Sequence, residues 1–193
     1  MIRNLASGQR GFTSNVFLVT GERTVLVDPG NAFDVVAAIR EHTDELDAVV
    51  LTHTHEDHVG NLDAVTEAFG VDVWGFDPDY PGVDHAIADD EHVTLGDHEY
   101  RAIHTPGHKD DHLCLYSATA DVLFAGDLVF ANGGFGRTDL AEGDRGLLVD
   151  SIGRLLNLVD EDLAEMHTGH GPSITSSPRT DIELALQAAR MRA

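Results

Sequence analysis

The chain has 193 residues, 42% of them hydrophobic, which is enough for one domain with a sizeable core and no help from disulfides. Its 34 acidic residues face only 12 Lys and Arg, so the formal net charge is -22 and no clustered basic patch exists to hold a nucleic-acid backbone. The acidity runs through the whole chain, which indicates adaptation to concentrated salt and argues against a nucleic-acid partner.

The N-terminal segment lacks the apolar core of a signal peptide. No stretch approaches the roughly 20 apolar residues that a membrane helix needs. The sequence therefore predicts a cytoplasmic protein without a membrane partner. The single cysteine, Cys114, lies in an apolar run, where a small buried core residue is expected rather than a nucleophile.

The first elements along the chain are two short β-branched runs, residues 15–20 and 24–27, separated by a glycine-containing turn. They predict an antiparallel hairpin that ends near Asp28. Residues 33–42 have helical spacing, and the apolar strand 48–51 leads into a histidine-rich segment. The hydrophobic pattern then predicts helices at 59–69, 147–158 and 182–191, and strands at 71–74, 100–103, 113–116 and 122–124.

The middle of the chain, residues 77–97, is rich in proline, glycine and acidic residues, which is typical of a surface loop. No linker or second core is evident elsewhere, so the sequence predicts one domain over residues 1–193. Alternating strands and helices support an α/β or α+β fold, and periodicity alone does not choose between them.

The segment 53–58 contains three histidines and two acidic residues in six positions, directly after a predicted buried strand. Imidazole and carboxylate groups are the ligands that zinc, iron and manganese take in proteins. His53 and His55 are two residues apart, so in an extended segment their side chains share a face. Asp57 and His58 fall where the chain turns into a helix and can point elsewhere. One loop can therefore supply ligands to two ions.

Three more candidate ligands follow, each in a tight loop after a predicted strand. They are His108 in Thr-Pro-Gly-His, Asp127 in Phe-Ala-Gly-Asp and His170 in Gly-His-Gly-Pro. Strand ends are where sites of α/β proteins assemble, so we expect these residues to join the histidine-rich segment in one metal site.

This order, HxHxDH followed by a later His, an Asp and a final His, resembles the metallo-β-lactamase superfamily over residues 12–172. The stretches 105–108, 136–140 and 169–172 are similar in particular to the small glyoxalase II-like hydrolases, which resemble hydroxyacylglutathione hydrolases. The resemblance implies an αββα four-layer sandwich of the metallo-β-lactamase type. It also implies a single catalytic domain without the C-terminal helical region that binds glutathione in full-length glyoxalase II enzymes.

In this family two divalent transition-metal ions share one water; zinc is expected, with iron or manganese as alternatives. Two cations lower the pKa of the shared water towards neutrality and polarise the carbonyl under attack, which implies hydrolysis of a small acyl-thiol substrate, a thioester. Matching positions give one ion His53, His55 and His108, the other ion Asp57, His58 and His170, and both ions the bridging Asp127.

Asp57 is also the expected catalytic carboxylate, because a metal-bound carboxylate beside the nucleophilic water can orient it and accept a hydrogen bond. His104, His112 and His167 lie near ligands and are expected to support them rather than to bind metal. Asp28 either supports the site in the same way or simply forms a turn.

The role of the Arg137 side chain has two interpretations. The Arg137 guanidinium either binds a substrate carboxylate or holds its own loop through a salt bridge to Asp139.

Two alternatives to the hydrolase exist for the protein as a whole. One is a mononuclear-iron persulfide dioxygenase, which resembles the chain in the Gly-Arg-Thr-Asp stretch, and the other is a non-catalytic scaffold with the same fold. Metal content, thioester cleavage and oxygen uptake distinguish the three.

Overall fold

The computed structural model describes residues 1–191, so Arg192 and Ala193, the end of the predicted domain, lie outside the described residues. The chain forms two compact units. The first contains residues 1–87 and 94–99, and the second contains residues 88–93 and those from Tyr100 onward. Within residues 1–191, no helix combines the length and the apolar character needed to cross a lipid bilayer.

The first unit is built on a six-stranded sheet. Its strands are β1 (Ile2–Asn4), β2 (Phe17–Val19), β3 (Val25–Val27), β4 (Ala48–Val50), β5 (Val73–Gly75) and β6 (His85–Ala86). They follow one another in chain order across the sheet, antiparallel from β1 to β3 and parallel from β3 to β6. Every residue of β2, β3 and β4 is buried, which explains why these strands are continuously apolar rather than alternating.

Three helices belong to the first unit: α1 (Val35–Arg40), α2 (Glu56–Val59) and α3 (Leu62–Phe69). The side chain of Asp34 accepts a hydrogen bond from the backbone N–H of Ala37 at 2.9 Å, so α1 begins later than its apolar pattern predicts. Gly70 ends α3 in the left-handed region, with φ of 64°, so the helix ends at residue 69 as the sequence predicts.

The second sheet has five strands, most of whose residues belong to the second unit. The strands from this part of the chain are β7 (His92–Leu95), β8 (His98–His104), β9 (Leu113–Ser117), β10 (Val122–Gly126), β11 (Val129–Phe130), β12 (Gly134–Phe135) and β13 (Glu165–Thr168). The sheet order is β13-β10-β9-β8-β7, while β11 and β12 form a separate pair around the 3₁₀ helix Ala131–Gly133. Strand β13 runs parallel to β10 and leads to the loop of His170.

Two long helices, α4 (Arg145–Leu158) and α5 (Pro178–Met191), cover the apolar core of the second unit. Leu148, Ile152 and Leu155 form the buried face of α4, each fully inaccessible. Burial of such a side chain stabilises the fold by about 1.5–3 kcal/mol. Helix α5 begins at Pro178, before the predicted start at residue 182, because proline is well accommodated in the first turn of a helix.

The mixed α/β fold class with two sheets and helices is confirmed, with corrections in several segments. The predicted helix 59–69 is split into α2 and α3, and the short strands β11 and β12 were not predicted. Residues 77–97, predicted as a loop, contain β6 and β7, which are too short for their period-two pattern to stand out among proline, glycine and acidic residues. Strand β1 was also missed, and it is held by pairing with β2 rather than by burial of its own side chains.

Candidate metal centre

Four candidate ligands of the first unit follow β4 and form what we call the first ligand cluster: His53, His55, Asp57 and His58. Nε2 of His53 lies 3.1 Å from Nδ1 of His55, and the His53 and His58 rings are centred 3.9 Å apart. A carboxylate oxygen of Asp57 lies within 4.8 Å of a ring nitrogen of His58. All but the half-buried His55 are buried. The segment is extended at His55 and helical from Glu56, as its spacing predicts.

Asp28 fixes one side of the first ligand cluster from the end of β3. Its Oδ2 atom lies 2.8 Å from Nδ1 of His58, and its two oxygens accept hydrogen bonds from the backbone N–H and the hydroxyl of Thr52, each at 2.7 Å. A carboxylate facing Nδ1 favours the tautomer in which Nδ1 carries the proton, so Nε2 of His58 presents its lone pair. The geometry therefore favours the supporting role of Asp28 over a simple turn. Its φ of 54° lies in the sparsely populated left-handed region.

Backbone hydrogen bonds tie the first ligand cluster to two neighbouring loops. The N–H of Ser14 donates to the carbonyl of Asp57 at 3.0 Å, and the N–H of Gly30 donates to the carbonyl of His58 at 2.9 Å. No side-chain pattern predicts these contacts, because backbone groups are present at every position.

The second unit contributes a second ligand cluster, which consists of His108, Asp127 and His170. Oδ2 of Asp127 lies 3.4 Å from Nε2 of His108 and also 3.4 Å from Nε2 of His170. His108 and Asp127 are buried, whereas the side chain of His170 is 39% exposed. The structure thus brings together three residues from separate loops, and the carboxylate lies between the two imidazoles.

The orientation of His108 is set by a backbone carbonyl. Its Nδ1 atom donates a hydrogen bond of 2.8 Å to the carbonyl oxygen of Arg137. Because a carbonyl only accepts, Nδ1 carries the proton and Nε2 presents the lone pair towards Asp127. Gly136 allows this approach, since a Cβ atom there would collide with the carbonyl oxygen of Asp127 and with the His108 side chain.

The Arg137 side chain points to a different partner. Its Nε and Nη2 atoms each donate to a carboxylate oxygen of Asp139 at 2.7 Å, and both side chains are more than half exposed. These hydrogen bonds from Arg137 lower the pKa of Asp139 to about 2. The salt bridge that one of the two interpretations of Arg137 requires is therefore present. A contact of Arg137 with substrate stays a prediction.

The loop that carries His108 is held from α4. The backbone carbonyl of Pro106 accepts a 2.7 Å hydrogen bond from Ser151, and that of Gly107 accepts one of 2.8 Å from the N–H of Asp144. Gly107 has φ of 129°, and any side chain there would strike the backbone of Leu148. The Thr-Pro-Gly-His sequence is therefore a tight turn packed against a helix N-terminus.

The His170 loop is closed by two interactions. The N–H of Gly169 donates to the carbonyl of Gly126 at 2.7 Å, next to Asp127. Nδ1 of His167 lies 2.8 Å from the hydroxyl of Ser173, on the far side of the loop. Burial lowers the pKa of His167 to about 4, so this imidazole is neutral at pH 7.

His104 and His112 have supporting roles, as the sequence predicts. Nε2 of His112 lies against the backbone N–H of Asp127, and Nε2 of His104 lies 2.7 Å from the carbonyl of Asp110. Both support loops rather than take a place among the candidate ligands. Four further histidines are exposed at the surface: His42, His85, His92 and His98.

The donor set fits transition-metal ions. Imidazole nitrogens and carboxylate oxygens are the preferred ligands of zinc and iron, and two of the histidines, His58 and His108, have the tautomer that leaves Nε2 as the donor atom. A bridging role for Asp127 is compatible with its position between two imidazoles.

Comparison with known proteins identifies the class. Residues 9–170 match the model of the metallo-β-lactamase superfamily, so the chain belongs to this superfamily of metal-dependent hydrolases. The resemblance detected in the sequence is thereby confirmed.

Among its relatives, a hydroxyacylglutathione hydrolase of Klebsiella pneumoniae is 36% identical over 157 residues, which cover 79% of this chain but only 61% of that protein. The probable metallo-hydrolase YqgX of Bacillus subtilis is 32% identical over 179 residues, covering 81% of this chain and 83% of that one. The crystal structure of TTHA1623 in a di-iron-bound form matches with a TM-score of 0.75 at 29% identity, covering 97% of this chain and 96% of that chain. The chain therefore spans about three fifths of the hydroxyacylglutathione hydrolase.

Proposed function

We propose that the two ligand clusters together hold two divalent transition-metal ions and that the protein hydrolyses a thioester, most simply a hydroxyacyl-thiol. The observation that carries this proposal is the Asp127 carboxylate oxygen, 3.4 Å from a ring nitrogen of His108 and of His170. A shared carboxylate is what a bridge between two ions requires. The proposed ligands are His53, His55 and His108 for one ion, Asp57, His58 and His170 for the other, and Asp127 for both.

The bound ions would supply a hydroxide at neutral pH and polarise the scissile carbonyl. The chain itself supplies ligand orientation, through Asp28 on His58 and the Arg137 carbonyl on His108. A protein nucleophile is not needed. Burial raises the pKa of the Cys114 thiol to about 12, so this cysteine stays protonated and unreactive.

Asp57 is the proposed proton-handling residue. Its carboxylate would accept a hydrogen bond from the attacking water and hold it towards the carbonyl carbon. Glu56 is the matched control, because it is the exposed neighbour on the same helical turn. We expect Asp57→Ala to lower kcat/KM by about 100-fold or more and to reduce metal content, while Glu56→Ala changes neither. Equal effects of the two changes would contradict the assignment.

Thioesters are the proposed substrate class because two lines of support agree. The chain is 36% identical to a hydroxyacylglutathione hydrolase, and its stretches 105–108, 136–140 and 169–172 resemble glyoxalase II-like enzymes. Because the alignment covers 61% of that relative, both glutathione and a smaller thiol are candidate thiol carriers. We propose a single catalytic domain for the two compact units and a cytoplasmic location.

The test is hydrolysis of S-lactoyl thioesters of glutathione and of smaller thiols, with oxygen uptake in the presence of persulfides measured in parallel. Turnover of a thioester without oxygen uptake supports the hydrolase. Oxygen uptake with one iron per chain replaces it with the persulfide dioxygenase, and neither activity favours the scaffold. Zinc is the proposed metal; the di-iron form of TTHA1623 makes iron the alternative to examine first.

The acidic surface supports a second, separate proposal, adaptation to concentrated salt. A net charge of -22 destabilises the compact state through self-repulsion, and salt screens that repulsion. We expect the unfolding temperature to rise as ionic strength increases from about 0.1 M to about 1 M, where the Debye length falls from about 10 to about 3 Å. An unchanged or lower unfolding temperature would contradict this.

A further inference from the structure

We propose that His112 is a positioning residue of the metal site: its imidazole accepts a hydrogen bond from the backbone N–H of Asp127 and so fixes the carboxylate between His108 and His170. This inference rests on the metal site proposed above. It assigns to His112 a role in metal binding although the residue is not itself a ligand.

The His112 ring is held at both ends. Its Nε2 atom lies 2.9 Å from the backbone nitrogen of Asp127, and its Nδ1 atom lies 2.8 Å from the hydroxyl oxygen of Thr105. His112 and Thr105 are both fully buried. The backbone N–H of Thr105 also donates to the carbonyl of His112 at 2.8 Å, which closes the loop of residues 105–112.

The hydrogen-bond partners determine the tautomer. A backbone N–H can only donate, so Nε2 of His112 must accept and cannot carry a proton. The proton is then on Nδ1, which donates to the Thr105 hydroxyl. The neutral ring thus acts as a rigid spacer between Thr105 and Asp127.

The position of Asp127 explains why such a spacer is needed. Strand β10 ends at Gly126, and its pairing with β13 shifts register between Phe124 and Gly126. Asp127 therefore lies just beyond the regular ladder, and its N–H is satisfied by the His112 side chain. The same loop that supplies His112 also carries His108, so one side chain links the backbones of two proposed ligands.

Two amide substitutions distinguish the hydrogen bond at Nε2 of His112 from the one at Nδ1. In His112→Gln the amide oxygen reaches the position of Nε2, so the contact with Asp127 is retained. In His112→Asn the shorter side chain reaches only the position of Nδ1, so the contact with Thr105 is retained and that with Asp127 is lost. Tyr116→Phe is a matched control on strand β9, because it removes a hydrogen bond to Asp160 away from the ligands.

The experiment measures zinc affinity of each purified variant by competition with a chromophoric chelator, together with the unfolding temperature of the metal-free protein. We expect His112→Asn to weaken zinc binding by about 10- to 100-fold, and His112→Gln to restore it to within about threefold of the wild type. Tyr116→Phe should lower the unfolding temperature without changing zinc affinity.

Normal zinc binding by His112→Asn, or equal losses in the Asn and Gln variants, would overturn the inference while leaving the proposed function intact. A wild-type protein that binds no zinc or iron would overturn both. The two failures are therefore distinguishable.

Discussion

The two ligand clusters differ in how the chain assembles them. The first draws its four residues from the six-residue segment 53–58. From outside that segment it is held by one side chain, the Asp28 carboxylate, and by backbone hydrogen bonds from Ser14 and Gly30. The second draws three residues from separate loops spread over residues 108–170. Its geometry depends on contacts between loops, made by His112, by the Arg137 carbonyl and by Gly126.

This difference indicates where each cluster is vulnerable. The first is determined mainly by a strand that runs into a helical turn, so few side chains outside the segment should matter to it. The second is determined by tertiary hydrogen bonds, so substitutions distant in sequence from the ligands should disturb it. Substitutions in and around the two clusters test that contrast.

Replacement of Asp127 should have the largest effect, because its carboxylate lies between two ligands of the second cluster and is the proposed bridge. We expect Asp127→Asn to lower metal affinity and thioester turnover by more than about 100-fold, beyond what loss of a supporting contact causes. Metal titration and steady-state kinetics measure this. The exposed Asp162→Asn serves as control, and a variant of Asp127 that keeps both metals would refute the bridge.

Replacement of Asp28 tests the support of the first cluster. Asp28→Asn keeps the shape of the side chain but removes the charge that fixes the His58 tautomer. We expect metal affinity to fall about 10- to 100-fold, measured by chelator competition. Asp34→Asn is the control, because asparagine also caps a helix well and Asp34 caps α1. An unchanged affinity would mean that the first cluster needs no outside support.

The loop of the second cluster should be sensitive to acid through His167. Burial lowers the pKa of this imidazole to about 4, below its value of about 6.5 in the unfolded chain. Between these values the unfolded chain therefore binds more protons than the folded protein. The stability that the buried, neutral His167 contributes is fully present above about pH 6.5 and is lost as the pH falls towards 4.

We expect this residue to contribute a loss on the order of 3 kcal/mol in the free energy of unfolding of the metal-free protein over that range. Denaturant unfolding of the wild type and of His167→Gln at several pH values measures the difference. The stability difference between the two proteins should narrow as the pH falls. A difference independent of pH would show that His167 is not buried in its neutral form.

Arg137 should give the smallest effect. Its guanidinium pairs with Asp139 at the surface, whereas the atom that holds His108 is its backbone carbonyl, which any residue supplies. We expect Arg137→Ala to change the KM for a thioester by less than about threefold, since exposed salt bridges contribute little. An increase in KM of tenfold or more with unchanged kcat would instead identify Arg137 as a substrate contact.

The sequence predicted the first cluster more fully than the second for a physical reason. Ligand spacing within 53–58 follows from the periodicities of strand and helix, which are local properties. The order of His108, Asp127 and His170 in the chain indicated the family but not the distances between them. Contacts such as the Arg137 carbonyl on His108 involve backbone atoms, and no side-chain pattern predicts which carbonyl will point inward.

The fold shows the same distinction. Buried central strands such as β4 and amphipathic helices such as α4 stand out in the sequence, because burial imposes apolar residues at a regular spacing. The edge strands β1 and β6 are short and partly or fully exposed, so pairing with a neighbour rather than hydrophobicity determines them. Register and pairing partners are set by the rest of the sheet.

The metal-to-chain ratio tests the proposal that the two ligand clusters hold two ions. Protein purified in concentrated salt and freed of loosely bound ions should be measured by elemental analysis alongside Asp127→Asn. We expect close to two ions per wild-type chain and a marked loss in the variant. One ion or none in the wild type, or two ions retained in Asp127→Asn, would contradict it.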